Sequence, residues 1–338
     1  MPSRPVSLAV VGATGALGRA TLQLLPDADL DPSELRLLAS ERSQDERLEV
    51  DGEALPVGPL SAEALRGVDL ALFLAPAAVA REWAPRAWAA GCAVVDASPA
   101  FRGDPEVPLV APRVNLEAAA GFRRRGVVAV ASGAAAALAL AVGALAGAAG
   151  VEGLIAAVLA PAAGAGRAGT AQLEKEASDL MNGREPETGR AVPHRLAYNV
   201  VPQVGTFLPD GRTDEEASIE SDLRRLLEEP TLWVRATAVR VPVFHGLTVL
   251  ARILTTQPLS AKDARAALRD TAGQKLVDDP GQGIYPMPML SLNDDGVLLG
   301  RVRADEGNRS VDFVVTVDEL TSAAASTLRI AERIAGAL

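Results

Sequence analysis

The sequence predicts an α/β fold, with an N-terminal Rossmann-type parallel sheet followed by an α+β domain whose sheet is mostly antiparallel or mixed. Three observations support this prediction. An apolar, β-branched run at residues 6–11 leads directly into a glycine-rich turn. Short apolar strands then alternate with helical segments up to about residue 130, which is typical of βαβ units. After about residue 150 the β-type runs become longer, with helices between them.

In the first domain, the strand at 6–11 is expected to lead into a helix that runs to about Leu25, where Pro26 stops it. Apolar patterning predicts strands at 35–39, 68–74, 93–96 and 127–131 and a helix at 78–90. Residues 127–151 carry no charge, but they are mostly Ala and Gly and contain few of the large apolar residues that drive membrane insertion. We therefore expect a buried strand and then a small-residue helix there, not a membrane span.

The second domain is expected to combine long strands with interspersed helices. The predicted strands are 154–159, 232–243, 248–255, 297–303 and 310–317, and the predicted helices are 167–182, 214–228 and 261–270. Residues 319–336 form a final amphipathic helix. The Pro- and Gly-rich stretches at 183–194 and 279–288 are expected to be long loops.

Composition excludes several kinds of partner. The 338 residues carry a formal net charge of −10, so the protein is expected to repel nucleic acid and anionic membranes. Cys92 is the only cysteine, so no intramolecular disulfide can form and a cytoplasmic location is expected. The first residues show no secretory signal pattern, and no metal site is expected.

The glycines Gly12, Gly15 and Gly18 stand between a predicted strand and a predicted helix. Glycines at this spacing let the backbone approach a pyrophosphate, and the first turn of the helix supplies free N–H groups. The alternative is a tight βα turn without a ligand. The strand before the glycines and the helix after them favour a nucleotide.

A polar segment after the second predicted strand bears on the choice of nucleotide. An Asp or Glu near this point usually binds the ribose 2′-hydroxyl of NAD. Here Ser40, Arg42 and Ser43 could instead hold a 2′-phosphate, which favours NADP over NAD. Glu41 weakens this interpretation, and an ordinary polar loop is the alternative.

Nearly the whole chain resembles the aspartate-semialdehyde dehydrogenase family. The motifs that carry the resemblance are Gly12-Ala-Thr-Gly-Ala-Leu-Gly18, Leu38-Ala-Ser-Glu-Arg-Ser43, Val95-Asp-Ala-Ser-Pro-Ala-Phe-Arg102, Tyr198-Asn-Val-Val-Pro-Gln203, Thr213-Asp-Glu-Glu216 and Val239-Arg-Val-Pro-Val243. The resemblance implies an NADP-dependent homodimer linked to amino-acid biosynthesis. It also implies an NADP-binding domain at 1–130 plus 319–338, and a substrate and dimerisation domain at 131–318. The implied cofactor-binding residues are Gly12, Thr14, Gly15, Ala16, Leu17, Ser40, Arg42 and Ser43.

The chemistry that the resemblance implies needs a cysteine nucleophile, a histidine that moves protons, and arginines that bind the substrate carboxylate and phosphate. In this chain the cysteine position is matched by Gly133 and the histidine position by Leu247. Other family residues are replaced as well: two asparagines by Val130 and Ser132, a glutamine by Ala160, a serine by Ala163, a lysine by Ser218, and an Asp-Asn-Leu-Arg-Lys segment by Asp318-Glu-Leu-Thr-Ser322. The family residues Arg102, Glu216 and Arg240 are retained.

These replacements predict a catalytically degenerate, NADP-binding homologue, similar to the usg-type paralogues that lack the nucleophile. The alternative is an active NADP-dependent oxidoreductase with a non-cysteine or displaced catalytic group. Three residues could supply such a group. They are Ser132, His245 and Cys92, and each has a more ordinary interpretation because serine needs an adjacent base, His245 suits a surface and Cys92 suits burial. His194 is expected in a solvated loop.

Arg102 and Arg240 are expected to form a remnant anion site with Glu216 nearby. The alternative is that these arginines are buried ion-pair partners of an acid such as Glu216.

Overall fold

A computed structural model describes residues 5–43, 46–187, 189, 191–269 and 271–338. The chain forms two compact units. Unit 1 comprises Met1–Ser132 and Leu320–Leu338, and unit 2 comprises Gly133–Glu319. The domain boundaries expected from the sequence lie after residues 130 and 318.

The first part of the chain alternates strands and helices. In order, these elements are β1 (Val6–Val11), α1 (Ala16–Leu24), β2 (Pro32–Ala39), β3 (Arg47–Val50), β4 (Glu53–Pro59), β5 (Leu70–Phe73), α2 (Ala77–Ala89), β6 (Ala93–Asp96), β7 (Leu109–Val110), α3 (Pro112–Asn115) and β8 (Val127–Val130). Short 3₁₀ helices lie at Leu25–Asp27, Glu41–Ser43 and Leu116–Arg124.

The remaining elements have longer strands. They are α4 (Gly133–Ala149), β9 (Val151–Ala160), α5 (Gly166–Met181), α6 (Asp214–Leu226), β10 (Trp233–Arg240), β11 (Leu247–Thr255), α7 (Ala261–Arg269), β12 (Gln274–Leu276), β13 (Val297–Ala304), β14 (Ser310–Val317) and α8 (Glu319–Ala335). Further 3₁₀ helices lie at Ala162–Ala165, Pro280–Gln282 and Pro288–Leu290.

Unit 1 contains an eight-stranded sheet in the order β3-β4-β2-β1-β5-β6-β8-β7. All neighbouring strands run parallel except the antiparallel pair β3 and β4. Every residue of β1, β5, β6 and β8 is buried, which explains why their sequences are apolar except at Ser7 and Asp96. The core of this unit also contains residues of α8, among them Leu328, Ile330 and Ile334.

Unit 2 contains a six-stranded mixed sheet in the order β10-β9-β11-β14-β13-β12. The end pairs β10/β9 and β12/β13 are parallel, and the three inner pairs are antiparallel. Helices α4, α6 and α7 contact this sheet. With the parallel sheet of unit 1, this mixed sheet confirms the predicted fold class.

Four strands were not predicted: β3, β4, β7 and β12. β7 and β12 have two and three residues, too few to show a pattern. β3 and β4 are interrupted by charges and by Pro56 and Pro59, so neither shows the apolar pattern of a buried strand. The strand predicted to reach Val243 ends at Arg240. The helix predicted to reach residue 270 is described as far as Arg269, and residue 270 lies outside the described residues, as do 188 and 190 in the predicted loop.

Among the described residues, no helix combines the length and apolar character that crossing a membrane requires. The uncharged segment at 127–151 forms β8, α4 and the first residue of β9, as expected for a buried strand followed by a helix.

Candidate functional site

The glycine-rich turn after β1 is shaped by close backbone contacts. Gly12 has φ +89°, and a Cβ atom there would lie 2.5 Å from the carbonyl oxygen of Leu74. A Cβ atom at Gly18 would lie 2.3 Å from the carbonyl oxygen of Gly12 and 2.6 Å from that of Ala13. Only glycine fits these two positions, because no side chain can share that space with backbone atoms. Helix α1 therefore packs tightly onto the turn, with Gly15 as its N-cap.

A cavity of about 490 Å³ opens beside this turn, within the usual range for small-molecule sites. Its walls include five of the predicted cofactor-binding residues, namely Gly12, Thr14, Gly15, Ser40 and Arg42. Ser43 joins them through its hydroxyl oxygen, which lies 3.1 Å from that of Thr14. The carboxyl ends of β1 and β2 thus meet at one cavity, where open parallel sheets bind nucleotides.

Besides Ser43, two predicted cofactor-binding residues do not line the cavity. Ala16 begins α1, and Leu17 is partly buried against the core of unit 1. Their assignment stays a prediction. Glu41 does line the cavity, next to Arg42.

Sequence analysis missed the opposite wall of the cavity. It is formed by the last residue of β4, residues that follow β4 and β5, and residues on α2, namely Pro59, Leu60, Leu74, Ala75, Pro76, Val79 and Trp83. No local motif marks these residues. The topology could have indicated part of the wall, because β5 lies next to β1 and its carboxyl end must open at the same sheet edge.

Arg102 lies in unit 1, on the loop after β6. Its Nε donates to the carbonyl oxygen of Val130 at 2.9 Å and its Nη2 to that of Ala97 at 3.2 Å. The nearby Asp96 is fully buried and accepts hydrogen bonds from the backbone N–H and the hydroxyl of Ser98. Burial outweighs these hydrogen bonds and raises the pKa of Asp96 to about 6. The guanidinium of Arg102 is thus held at the ends of β6 and β8 by backbone carbonyl groups.

In unit 2, Gly133 is the first residue of α4. A Cβ atom at this position would lie 3.6 Å from the Cγ atom of Glu319, an ordinary van der Waals contact. Any group beside Gly133 therefore borders the Glu319 side chain.

Arg240 approaches the same carboxylate. A Cβ atom at Gly164 would lie 2.5 Å from Nη1 of Arg240 and 3.8 Å from Oε2 of Glu319. The distance between Nη1 and Oε2 therefore cannot exceed the sum of these two distances. Arg240 is buried, and its Nη1 donates to the carbonyl oxygen of Pro161 at 2.6 Å. Gly133, Gly164, Arg240 and Glu319 thus form one cluster, which we call the Arg240 cluster.

The Arg240 cluster brings charged groups of opposite sign close together. Desolvation lowers the pKa of Arg240, while the nearby Glu319 and Glu215 carboxylates raise it. Although part of Glu319 remains accessible, desolvation is the largest cause that raises the pKa of its carboxyl to about 7. The carboxylates of Glu215 and Asp318 also raise this pKa, and Arg240 lowers it. Sequence analysis noted the replacement at Glu319 but did not assign it to the site.

Glu216 uses both carboxylate oxygens within the fold. Its Oε2 accepts from the backbone N–H of Thr213 at 2.8 Å and completes a capping box at the start of α6. Its Oε1 accepts from the backbone N–H of Ala238 at 2.9 Å. Glu220, one turn later, accepts from Ala236 at 3.3 Å. These two acids therefore satisfy donors along β10, an edge strand of the sheet.

The other candidate catalytic residues lie on different segments of the chain. Leu247 is buried at the start of β11 and pairs with Val317. His245 is exposed in the loop before β11, and His194 is exposed in the loop between α5 and α6. Ser132 is buried at the end of the first segment of unit 1. Within the described ranges, no group of three or more His, Cys, Asp or Glu side chains could hold a metal ion.

Cys92 is fully buried before β6 and its thiol donates to the carbonyl oxygen of Ala93 at 3.3 Å. Desolvation, with a contribution from the carboxylate of Asp69, raises the pKa of this thiol to about 12.

Comparison with known proteins gives a match in each unit. Residues 7–122 match the NAD binding domain of semialdehyde dehydrogenase, and residues 142–322 match its dimerisation domain. The aspartate-semialdehyde dehydrogenases of Aquifex aeolicus and Bacillus subtilis are 33% and 32% identical to this chain, and the alignments cover 96% and 98% of both partners. A crystal structure of aspartate semialdehyde dehydrogenase II complexed with ASA, from Vibrio cholerae, has a TM-score of 0.91 at 32% identity and 98% coverage of both chains. The chain belongs to the aspartate-semialdehyde dehydrogenase family, whose members are NAD(P)-binding oxidoreductases.

Proposed function

We propose that this family member binds NADP but does not carry out thiol-dependent dehydrogenation of aspartate semialdehyde. The observation that carries the proposal is the state of Cys92, the only cysteine of the chain. A thiolate is the nucleophilic form of cysteine. Complete burial and a pKa of about 12 keep this sulfur protonated and out of reach of a substrate.

The two positions matched to the family's catalytic pair support the same proposal. Gly133 has no side chain and Leu247 has no ionisable group. Neither can form a covalent intermediate or move a proton.

The cavity beside the glycine-rich turn supports a retained cofactor. The close contacts of Gly12 and Gly18 hold α1 against the turn, and the free N–H groups at the start of this helix suit a pyrophosphate. Arg42 and the paired hydroxyls of Thr14 and Ser43 suit the 2′-phosphate of NADP better than the bare ribose of NAD. NADP would supply the hydride-accepting nicotinamide, and these residues would hold its adenosine phosphates.

A homodimer is part of the proposal. Outward-facing residues of β9, β11 and β14 place Ala157, Leu250 and Val314 side by side across the sheet of unit 2. Leu250 is 46% exposed and the neighbouring Ile155 45% exposed. An apolar sheet face open to solvent marks an association surface, and the match to a dimerisation domain favours a second copy as its partner.

We also propose that Arg240 retains a small-anion site, because a buried guanidinium is a strong ligand for carboxylates. For Arg102 the same role stays a prediction.

The test is an assay of NADP⁺ reduction with aspartate semialdehyde and phosphate, run beside the Bacillus subtilis relative. We expect no turnover above the buffer rate, and intact-mass spectra without an acyl adduct. Separately, titration with NADP monitored by tryptophan fluorescence should give a dissociation constant well below millimolar, since Trp83 lines the cavity.

Two results would contradict the proposal. Turnover comparable to that of the relative would establish an active oxidoreductase with a displaced catalytic group. Absence of NADP binding at millimolar concentration would show that the glycine-rich turn no longer serves a nucleotide.

A further inference from the structure

The Arg240 cluster differs from an ordinary anion site in one respect: an acid borders the guanidinium. Oε2 of Glu319 and Nη1 of Arg240 both lie within 4 Å of the Cβ position of Gly164. A Cβ atom at Gly133 would also touch the Cγ atom of Glu319, at 3.6 Å. A small anion bound to Nη1 of Arg240 would therefore lie close to the Glu319 carboxyl.

We propose that Glu319 determines the ligand specificity of the Arg240 site: it excludes small carboxylates while it is ionised and admits them once it is protonated, so that the site takes up a small anion together with one proton. This rests on the proposed function only in taking Arg240 as a ligand-binding residue.

The charges around Glu319 give the physical reason. Arg240 faces it from β10, Glu215 faces it from α6, and Asp318 precedes it in the chain. With Glu319 ionised, the carboxylates of Glu319 and Glu215 both act on the Arg240 guanidinium, and a further negative charge is repelled. Protonation removes one negative charge and converts an acceptor oxygen into a hydrogen-bond donor, which an incoming carboxylate can use.

Desolvation places this change near neutral pH. The pKa of Glu319 in the ligand-free protein is about 7. Below that pH the carboxyl is mostly neutral and Arg240 can accept an anion, whereas above it the ionised form dominates and binding weakens. Since only the protonated fraction is competent, the apparent dissociation constant rises by about tenfold between pH 6 and pH 8.

The replacement at this position gives a matched variant. The family resemblance places an asparagine at Glu319, and both glutamine and asparagine are neutral at every pH of the experiment. Glu319→Gln keeps the length of the side chain, and Glu319→Asn restores the family residue. Both remove the titrating group and keep polar atoms that can bind a carboxylate.

The probe is propionate, whose charge is constant between pH 6 and pH 8, with propylammonium as a cation of the same length. Binding is followed by ligand-observed NMR at both pH values, and the site by the backbone amide shifts of Gly133 and Gly164. In the wild-type protein we expect propionate to bind about tenfold more weakly at pH 8 than at pH 6. In Glu319→Gln and Glu319→Asn the two pH values should give the same affinity.

Glu215→Gln distinguishes the titrating group from its neighbour. Because the Glu215 carboxylate raises the pKa of Glu319, its removal should move the midpoint of propionate binding to lower pH without abolishing the pH dependence. Propylammonium should show the reverse trend, with tighter binding at pH 8 in the wild-type protein.

Three outcomes would overturn the proposal: no propionate binding at pH 6, equal wild-type binding at both pH values, or a pH dependence that survives in Glu319→Gln. None of them depends on NADP or on turnover. Absence of propionate binding at pH 6 would also remove the anion site proposed at Arg240, whereas the other two outcomes would leave that site and overturn only the role of Glu319. Near-ultraviolet circular dichroism of each variant shows whether a loss of binding results from a loss of folded structure.

Discussion

The carboxylate of Glu216 on α6 accepts a hydrogen bond from the backbone N–H of Ala238 on β10 at 2.9 Å, so an acid of the family motif satisfies a donor of an edge strand. The same side chain caps its own helix through Thr213. Two backbone donors therefore depend on one buried carboxylate, and the stability of unit 2 should be sensitive to it.

Glu216→Ala should lower the free energy of unfolding by about 2–3 kcal/mol, because it removes a helix cap and leaves the buried N–H of Ala238 without its acceptor. Chemical denaturation monitored by far-ultraviolet circular dichroism measures the change. Ser221→Ala, at an exposed position of the same helix, should change stability by no more than about 0.5 kcal/mol. Equal effects of the two substitutions would refute a structural role for Glu216.

Gly18→Ala should weaken NADP binding by about tenfold or more, since its Cβ atom would collide with the carbonyl oxygens of Gly12 and Ala13 and displace α1 from the turn. The measurement is the fluorescence titration with NADP. Gly143→Ala is the control, because the Cβ position at this helical glycine is open and alanine favours a helix. Unchanged affinity in Gly18→Ala would mean that α1 and the turn do not hold the cofactor.

Arg42→Ala should reduce the preference for NADP over NAD by about tenfold, because it removes one charge-assisted hydrogen bond to the 2′-phosphate. Dissociation constants of both nucleotides give the ratio, and NAD binding should change little. Arg66→Ala removes an exposed arginine outside the cavity and should leave the ratio unaltered. An unaltered ratio in Arg42→Ala would exclude Arg42 as the phosphate ligand.

Cys92 should not react with a thiol reagent in the native protein at pH 8. With a pKa of about 12 the thiolate fraction there is roughly one in ten thousand, and it rises only as the pH approaches that value. Labelling should reach one equivalent in denaturant. Ser221→Cys places a second thiol on an exposed helical position and should react before unfolding. Rapid native labelling of Cys92 would contradict its burial.

Leu250→Glu should convert the proposed dimer into a monomer, because it places a charge in the middle of the apolar sheet face between Ala157 and Val314. Light scattering after size-exclusion chromatography measures the mass. Lys262→Glu introduces the same acid at an exposed position on α7 and should leave the mass unchanged. A wild-type monomer, or a dimer that survives Leu250→Glu, would rule out this face.

The fold class was predictable because β1, β5 and β6 are buried on both faces and their sequences are almost entirely apolar. The glycine-rich turn was predictable for a related reason, since contacts as close as those of Gly12 and Gly18 leave no choice of residue. Trp83 was not predictable, because it reaches the cavity only through the pairing of β1 with β5.

The Arg240 cluster shows the limit of reasoning from motifs. Arg240 was found because the motif around it is retained, whereas Glu319 stands at the start of a helix far away in sequence. Its proximity to Gly133 and Gly164 is a result of the tertiary fold. Motifs identify what a family keeps, and a substituted residue gains meaning only from its neighbours in space.

Helix α8 completes the core of unit 1 with Ile330, Ala331 and Ile334, and Arg333 pairs with Glu117 at 2.7 Å. During synthesis on the ribosome, the part of the nucleotide-binding sheet that α8 covers therefore stays exposed until all of unit 2 has been made. A fragment cut after residue 132 would expose that surface and aggregate. A shortened chain in which residues 320–338 directly follow residue 132 should instead fold as an independent module.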